Sequence, residues 1–137
     1  MSKFLSPEWF DQCRRLAADF PERPGAGARI QYVLQRSDGE IHYSLVLEDG
    51  RLVSASLGDI ADPDVTLTLP YADSVAIHKG ELDPNQAFRE GRMKSTGMMQ
   101  KLMSVMPILW PPPARRPAST ARRYRTFHEQ LKEVTEF

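Results

Sequence analysis

The sequence predicts an α/β (α+β) fold, with a five-stranded, mostly antiparallel sheet and helices laid against it. Three observations lead there. Strand-like runs between residues 29 and 57 are punctuated by Asp38-Gly39 and Asp49-Gly50. Segments of helical periodicity flank those runs on both sides. The stretch Asp64–Trp110 ends in a methionine-rich helix whose apolar face is wider than a chain of 137 residues needs for its own core.

A chain of this length favours one core-forming unit. With 41% hydrophobic and 26% charged residues its composition is that of an ordinary globular protein. Its formal net charge is zero, so nothing global points to nucleic acid. The charge is nevertheless uneven. Residues 1–110 carry 12 Lys/Arg against 15 Asp/Glu, and residues 111–137 carry 6 against 3. That asymmetry divides the chain into a body, 1–110, and a Pro/Arg-rich linker with a C-terminal helix, 111–137. The single Cys13 rules out an intrachain disulfide and fits a reducing compartment. With no secretory h-region, no apolar run of membrane-spanning length and no C-terminal address, the expected location is cytoplasmic.

Ser6-Pro7-Glu8 starts a helix: a Ser cap, Pro at the first helical position and an acid in the first turn. Trp9/Phe10, Cys13, Leu16/Ala17 and Phe20 follow at helical spacing, so the helix should dock on something flat until Pro21 ends it. Arg29–Arg36, Glu40–Glu48 and Arg51–Leu57 supply that surface as three strands. The two Asp-Gly links suit type I′ turns, whose central residues need positive φ, and so give an antiparallel meander. Val33 and Val46 point away from the main apolar face, so the second face should be partly covered.

Asp64–Leu69 alternates cleanly and reads as a fourth strand. Tyr71–Lys79 and Pro84–Glu90 read as short helices ended by Gly80 and Gly91, and Arg92–Thr96 as a fifth, edge strand. The intervening length admits a right-handed crossover and a parallel pairing of the fourth and fifth strands. Gly97 opens the methionine helix. Pro107 should kink or end it, and Pro111-Pro112-Pro113 begins a stiff linker. Helical periodicity resumes with Tyr124, Phe127, Leu131 and Val134, but the charges oppose the macrodipole, so this helix needs a partner to pack on.

Catalytic and metal motifs are absent from the sequence. His42, His78 and His128 have no metal-ligand spacing and read singly as ordinary surface or core histidines. Cys13 reads as a small buried hydrophobe. Two readings of the methionine helix stand. Apolar residues at helical spacing usually face a protein's own interior. Unbranched, polarizable methionines also suit a cavity of loose specificity, and five of the six fall between Met93 and Met106. The basic segment reads either as solvated surface or as a contact for anionic lipid through Arg115, Arg116, Arg122, Arg123 and Arg125.

The order and spacing of motifs in Asp64–Leu102 carry a resemblance. They read Asp64-Val65-Thr66-Leu67-Thr68, then Asp73, Gly80-Glu81-Leu82-Asp83-Pro84, Ala87-Phe88, and Gly91-Arg92-Met93-Lys94 leading to Gly97. This stretch resembles the sterol carrier protein 2-like lipid-transfer family. Ser95-Thr96 stands where members usually carry an apolar residue in the last strand, and the segment beyond Trp110 is outside the family core. The resemblance implies a five-stranded sheet with helices on one side and an apolar tunnel between them. It also implies binding of a fatty acid, fatty acyl-CoA, sterol-like ligand or phospholipid without cofactor or catalytic residues.

The expected lining is Phe88, Met98, Met99, Leu102, Met103 and Met106, opposite Tyr32, Tyr43 and Leu45. The expected activity is non-catalytic lipid binding and transfer. The alternative is an accessory subunit or small enzyme of lipid metabolism using the same cavity, with His78, Asp73 or Tyr43 as its polar groups.

Overall fold

A computed structural model describes residues 2–110 and 119–137, with side chains from 123 onward in the last helix. The elements are β1 (Ser2–Lys3), α1 (Pro7–Leu16) with a 3-10 turn at Ala17–Asp19, β2 (Ala28–Arg36), β3 (Gly39–Glu48), β4 (Arg51–Leu57), β5 (Val65–Pro70), α2 (Tyr71–Lys79), α3 (Pro84–Arg89), β6 (Lys94–Gly97), α4 (Met99–Leu109), α5 (Ser119–Glu133) and β7 (Thr135–Glu136). The main sheet has five strands in the order β4-β3-β2-β5-β6.

The meander β2-β3-β4 is antiparallel, and its second turn has the expected geometry: Asp49 and Gly50 have φ of 49° and 85°. A Cβ on Gly50 would stand 2.8 Å from the Arg23 amide nitrogen, so this turn also requires glycine for space. The first turn differs from expectation. Arg36 pairs with Gly39, so Ser37 and Asp38 are its central residues, and neither has positive φ. The parallel pairing also falls elsewhere than expected. β5 runs parallel to β2, from Ile30 beside Val65 to Gln35 beside Pro70, and antiparallel to β6. The meander leaves β2 as a free edge, and residues 58–64 cross the sheet to deliver β5 there.

That crossover covers the outer face of the sheet. Gln31, 5% exposed, donates to the Gly58 and Tyr43 carbonyls and accepts from the Ile60 amide at 2.8 Å. Asp64 accepts from the Arg29 amide at 2.9 Å. The inner face presents Ile30, Leu34, Val65, Leu67 and Leu69, all 0–2% exposed, toward the helices. Burying side chains of this size contributes roughly 1.5–3 kcal/mol each.

α1 begins as its sequence requires. Ser6 accepts from the Trp9 amide and Pro7 occupies the first turn. The helix ends at Leu16, one 3-10 turn early, and Phe20 is extended, although its side chain is still buried. α2 closes on Gly80 at φ 80°, and α3 is capped by Asp83, which accepts from the Asn85 amide. At Gly97 the chain turns into α4 against Asp64, whose carbonyl oxygen would lie 2.3 Å from any Cβ at this position.

α4 continues two residues past Pro107 and ends at Leu109, near the proline expected to kink or end it. So near a C-terminus, proline removes a single intrahelical bond, and Trp110 still donates to the Met106 carbonyl.

The last helix is integral to the packing. Tyr124, Phe127 and Leu131 join the central core, and Phe20 meets the rings of Tyr124 and Phe127 edge-on at 5.0 and 4.9 Å. β7 pairs in parallel with β1, and Trp9 Nε1 donates to Thr135 Oγ1 at 2.9 Å. α5 is thereby held across α1.

Candidate functional site: an apolar cavity

Between the inner face of the sheet and the helices lies a cavity of about 680 Å³, within the 300–1,000 Å³ range of small-molecule sites. Strands β2–β4 contribute Tyr32, Tyr43, Leu45, Leu47 and Leu52. α1 adds Trp9 and Cys13, and Phe20 follows. α2 adds Ser74, Ile77 and His78, the α2–α3 loop adds residues 80–83, and the start of α3 adds residues 84–86. Met93 before β6, Ile108 and Leu109 of α4, Trp110, and Phe127, His128 and Leu131 of α5 complete the wall. Glu81, Asp83, Asn85 and Gln86 are solvent-exposed, so the cavity meets water beside this loop.

Away from Glu81 and Asp83 on its exposed rim, the wall is neutral. Tyr32 and Tyr43 stack with ring centroids 4.4 Å apart and planes 4° from parallel. Burial raises both phenols well above their ordinary range, so both stay protonated. For Tyr43, Tyr32 and Cys13 add to the rise, and the neighbouring Ser74 hydroxyl opposes it. Burial pushes the Cys13 thiol up to about 12, against the smaller opposing pull of Arg14. Burial lowers His78 to about 3, helped by repulsion from His128, so its imidazole is neutral. Burial also lowers His128, against a hydrogen bond to the Ile108 carbonyl at 2.9 Å. Among the described lining residues there is no Lys or Arg. Among the described residues no group of three or more His, Cys, Asp or Glu is arranged to hold a metal.

Of the expected lining, Tyr32, Tyr43 and Leu45 form the sheet wall of this cavity. The helix side is different. Met98, Met99 and Met103 are 58%, 45% and 63% exposed on the outer face of α4, and Leu102 is fully buried in the core instead of facing the cavity. Met106 is half-buried against the core. Phe88 stands behind the wall, its ring 5.3 Å from that of Trp110. These six are therefore corrected: the apolar positions of α4 that reach the cavity are Ile108 and Leu109, at its far end.

Asp73 is also turned elsewhere. It accepts from Arg92 Nε and Nη2 at 3.1 and 2.6 Å, a bidentate pair that ties α2 to the approach of β6. Of the basic residues expected to meet lipid, Arg123 is exposed and Arg125 half-buried. Arg115, Arg116 and the Arg122 side chain, with the proline linker, lie outside the described residues.

The lining residues of α1 and α5 were not assigned from sequence. Their signals were there, in the Trp9/Cys13 stripe and in Phe127/Leu131, but a stripe does not say which interior it faces. His78 and His128 carried no spacing signal, because 50 residues separate them and only packing brings them to one cavity.

A model of the SCP-2 sterol transfer family matches residues 17–109. The "Non-specific lipid-transfer protein-like 1" of Caenorhabditis elegans is 28% identical over 111 residues, covering 79% of this chain and 92% of that protein. The solution structure of palmitated SCP2L2 from Aedes aegypti superposes with a TM-score of 0.59 at 22% identity, over 76% of this chain and 94% of that one. The same fold occurs as a part of the sec-alkyl sulfatase PisA1, with a TM-score of 0.58 and 23% identity over 80% of this chain but only 17% of that one. α1 and α5 lie outside the matched family span.

Proposed function

The chain belongs to the SCP-2 sterol transfer family, and on that basis we propose that it binds lipids in its apolar cavity and transfers them without catalysis. The observation that carries this reading is the cavity itself: about 680 Å³, walled by stacked tyrosines and aliphatic side chains, with both tyrosines, Cys13 and both imidazoles favoured in their neutral forms. A wall of this kind recognises a ligand by shape and apolar area. Burial contributes near 0.8 kcal/mol per methylene, so affinity should rise about fourfold with each added carbon until the cavity is full. The ligand class is a single acyl chain or a sterol-like body of similar volume.

No helix among the described residues is long and apolar enough to cross a membrane. A cytoplasmic carrier is consistent with the free, buried Cys13. Contact of the basic segment with anionic headgroups belongs to the same proposal. Arg123 is exposed for it, and each such residue contributes about 1 kcal/mol near a charged bilayer. The catalytic alternative draws on Ser74, Tyr43 and His78 in one wall, but Asp73 is engaged by Arg92 and gives His78 no carboxylate partner.

Displacement of a fluorescent fatty acid by unlabelled acids of 8 to 20 carbons tests the proposal. Saturable, length-dependent competition is expected. Absence of saturable binding at every length refutes it.

A further inference from the structure

The cavity carries two polar groups that an apolar sleeve for hydrocarbon does not need. We propose that His78 and His128 form a head-group site in the cavity wall that binds the carboxyl of a fatty acid with uptake of one proton. This deepens the carrier reading and rests on it.

His78 is fixed in place between aromatic rings, with centroids 4.9 Å from Phe4 and 5.7 Å from Trp9. It is half-buried and is one of the residues lining the cavity. His128 complements it. Its Nε2–H donates to the Ile108 carbonyl at 2.9 Å, which in the neutral ring leaves Nδ1 as an acceptor. Each neutral imidazole keeps one acceptor nitrogen, so the wall can take an O–H donor from a ligand.

The surrounding charges decide the protonation state of that donor. Sharing the cavity lining with the pair are Tyr43 from β3 and Cys13 from α1, both neutral, with Glu81 and Asp83 on the α2–α3 loop. Lys79 lies over the Phe137 ring, and Lys132 approaches Gly80; neither is in the lining. With no lining cation among the described residues and two acids beside the opening, a bare carboxylate is unfavourable inside. A fatty acid is ionised at neutral pH, having a carboxyl of ordinary pKa near ~4.3. On binding, one proton from solvent joins the carboxylate–imidazole pair and is held between carboxyl oxygen and ring nitrogen. The pair is then neutral as a unit, and no bond in the ligand is made or broken.

The test compares oleate with oleyl alcohol, which presents the same chain and an O–H that needs no proton. Calorimetry of the full chain in two buffers of different ionisation enthalpy counts protons taken up. Affinities are followed from pH 9 to pH 7. Oleate is expected to take up close to one proton and to bind about tenfold tighter per unit fall in pH, the slope of a single linked proton, whereas oleyl alcohol binds independently of pH. His78→Phe keeps the ring packing against Phe4 and Trp9. It should weaken oleate at least tenfold at pH 7 and flatten its pH dependence, while oleyl alcohol, losing a hydrogen bond but no linked proton, stays independent of pH. Imidazole ¹⁵N shifts of the unmodified protein, recorded with and without oleate, read the same protonation without any variant. Oleate binding with no proton uptake and the pH profile of the alcohol overturns the inference and leaves the carrier reading standing. Saturable binding of neither ligand refutes the carrier reading, and the inference with it.

Discussion

Replacing Leu102 and Met103 separately by alanine asks which face of α4 the protein depends on. The two positions are adjacent, both apolar and nearly equal in volume, yet Leu102 is 0% exposed and Met103 63% exposed. Truncating a fully buried leucine costs about 2–5 kcal/mol, transfer and cavity effects together. For 137 residues the unfolding entropy near 60 °C is about 0.3 kcal/mol per kelvin, so Leu102→Ala should lower Tm by about 7–17 °C. Met103→Ala removes a side chain already in water and should stay within about 0.5 kcal/mol, or less than 2 °C. Thermal and urea unfolding of ligand-free protein measure both, and fatty-acid titration of the folded variants gives the functional readout. Met103→Ala should leave lipid affinity within twofold, because the cavity wall lies elsewhere. A tenfold loss of affinity in Met103→Ala at unchanged stability would overturn the assignment of the cavity, and equal Tm losses in the two variants would overturn the placement of the helix.

Three further outcomes follow from the packing. Asp73→Asn weakens the pair with Arg92; because Arg92 is 44% exposed, the loss is smaller than that of a fully buried pair and reads as a lower urea midpoint at unchanged m-value. His42 bonds Glu40 and Asp59, which raise its pKa, with the Glu40 hydrogen bond the largest cause. A raised folded pKa makes the contribution fully present below the ordinary value of 6.5 and loses it as pH rises through the folded value, so the Tm gap between the wild type and His42→Gln should be open at pH 5.5 and closed by pH 9. Cys13, 3% exposed and with its thiol pushed up to about 12, should resist a thiol-specific reagent in the native protein and react on unfolding in urea; rapid labelling of the folded protein would contradict its place in the wall.

Much of the architecture was legible because it is written in local rules. β4 and α2 match their expected bounds residue for residue, since Asp49-Gly50 and Gly80 are positions where backbone conformation and residue identity are locked together. Positions without such a lock were harder to read. At Asp38-Gly39 the same dipeptide sits one residue further along the hairpin, because the register of β2 on β3 is decided by which face is buried. Pro107 marked the end of α4 only to within two residues, as a proline in the last turn sacrifices only one bond.

The candidate site divides along the same line. Tyr32, Tyr43 and Leu45 were identifiable because strand alternation places them on the face that helices cover. The methionines were misplaced because periodicity reports that a helix has an apolar side, not where its axis lies relative to a cavity. α4 turns Leu102, Val105 and Ile108 inward and leaves Met98, Met99 and Met103 outside.

Strands, caps, turns and the family pattern between Asp64 and Leu102 follow from short-range chemistry and were readable along the chain. The parallel seating of β5 beside β2, the closure of the cavity by α5, and the meeting of His78 with His128 depend on contacts between residues far apart in sequence. No local conformational preference encodes such contacts. They are set by how the buried faces of separate elements fill one interior, and that is where the character of the cavity arises.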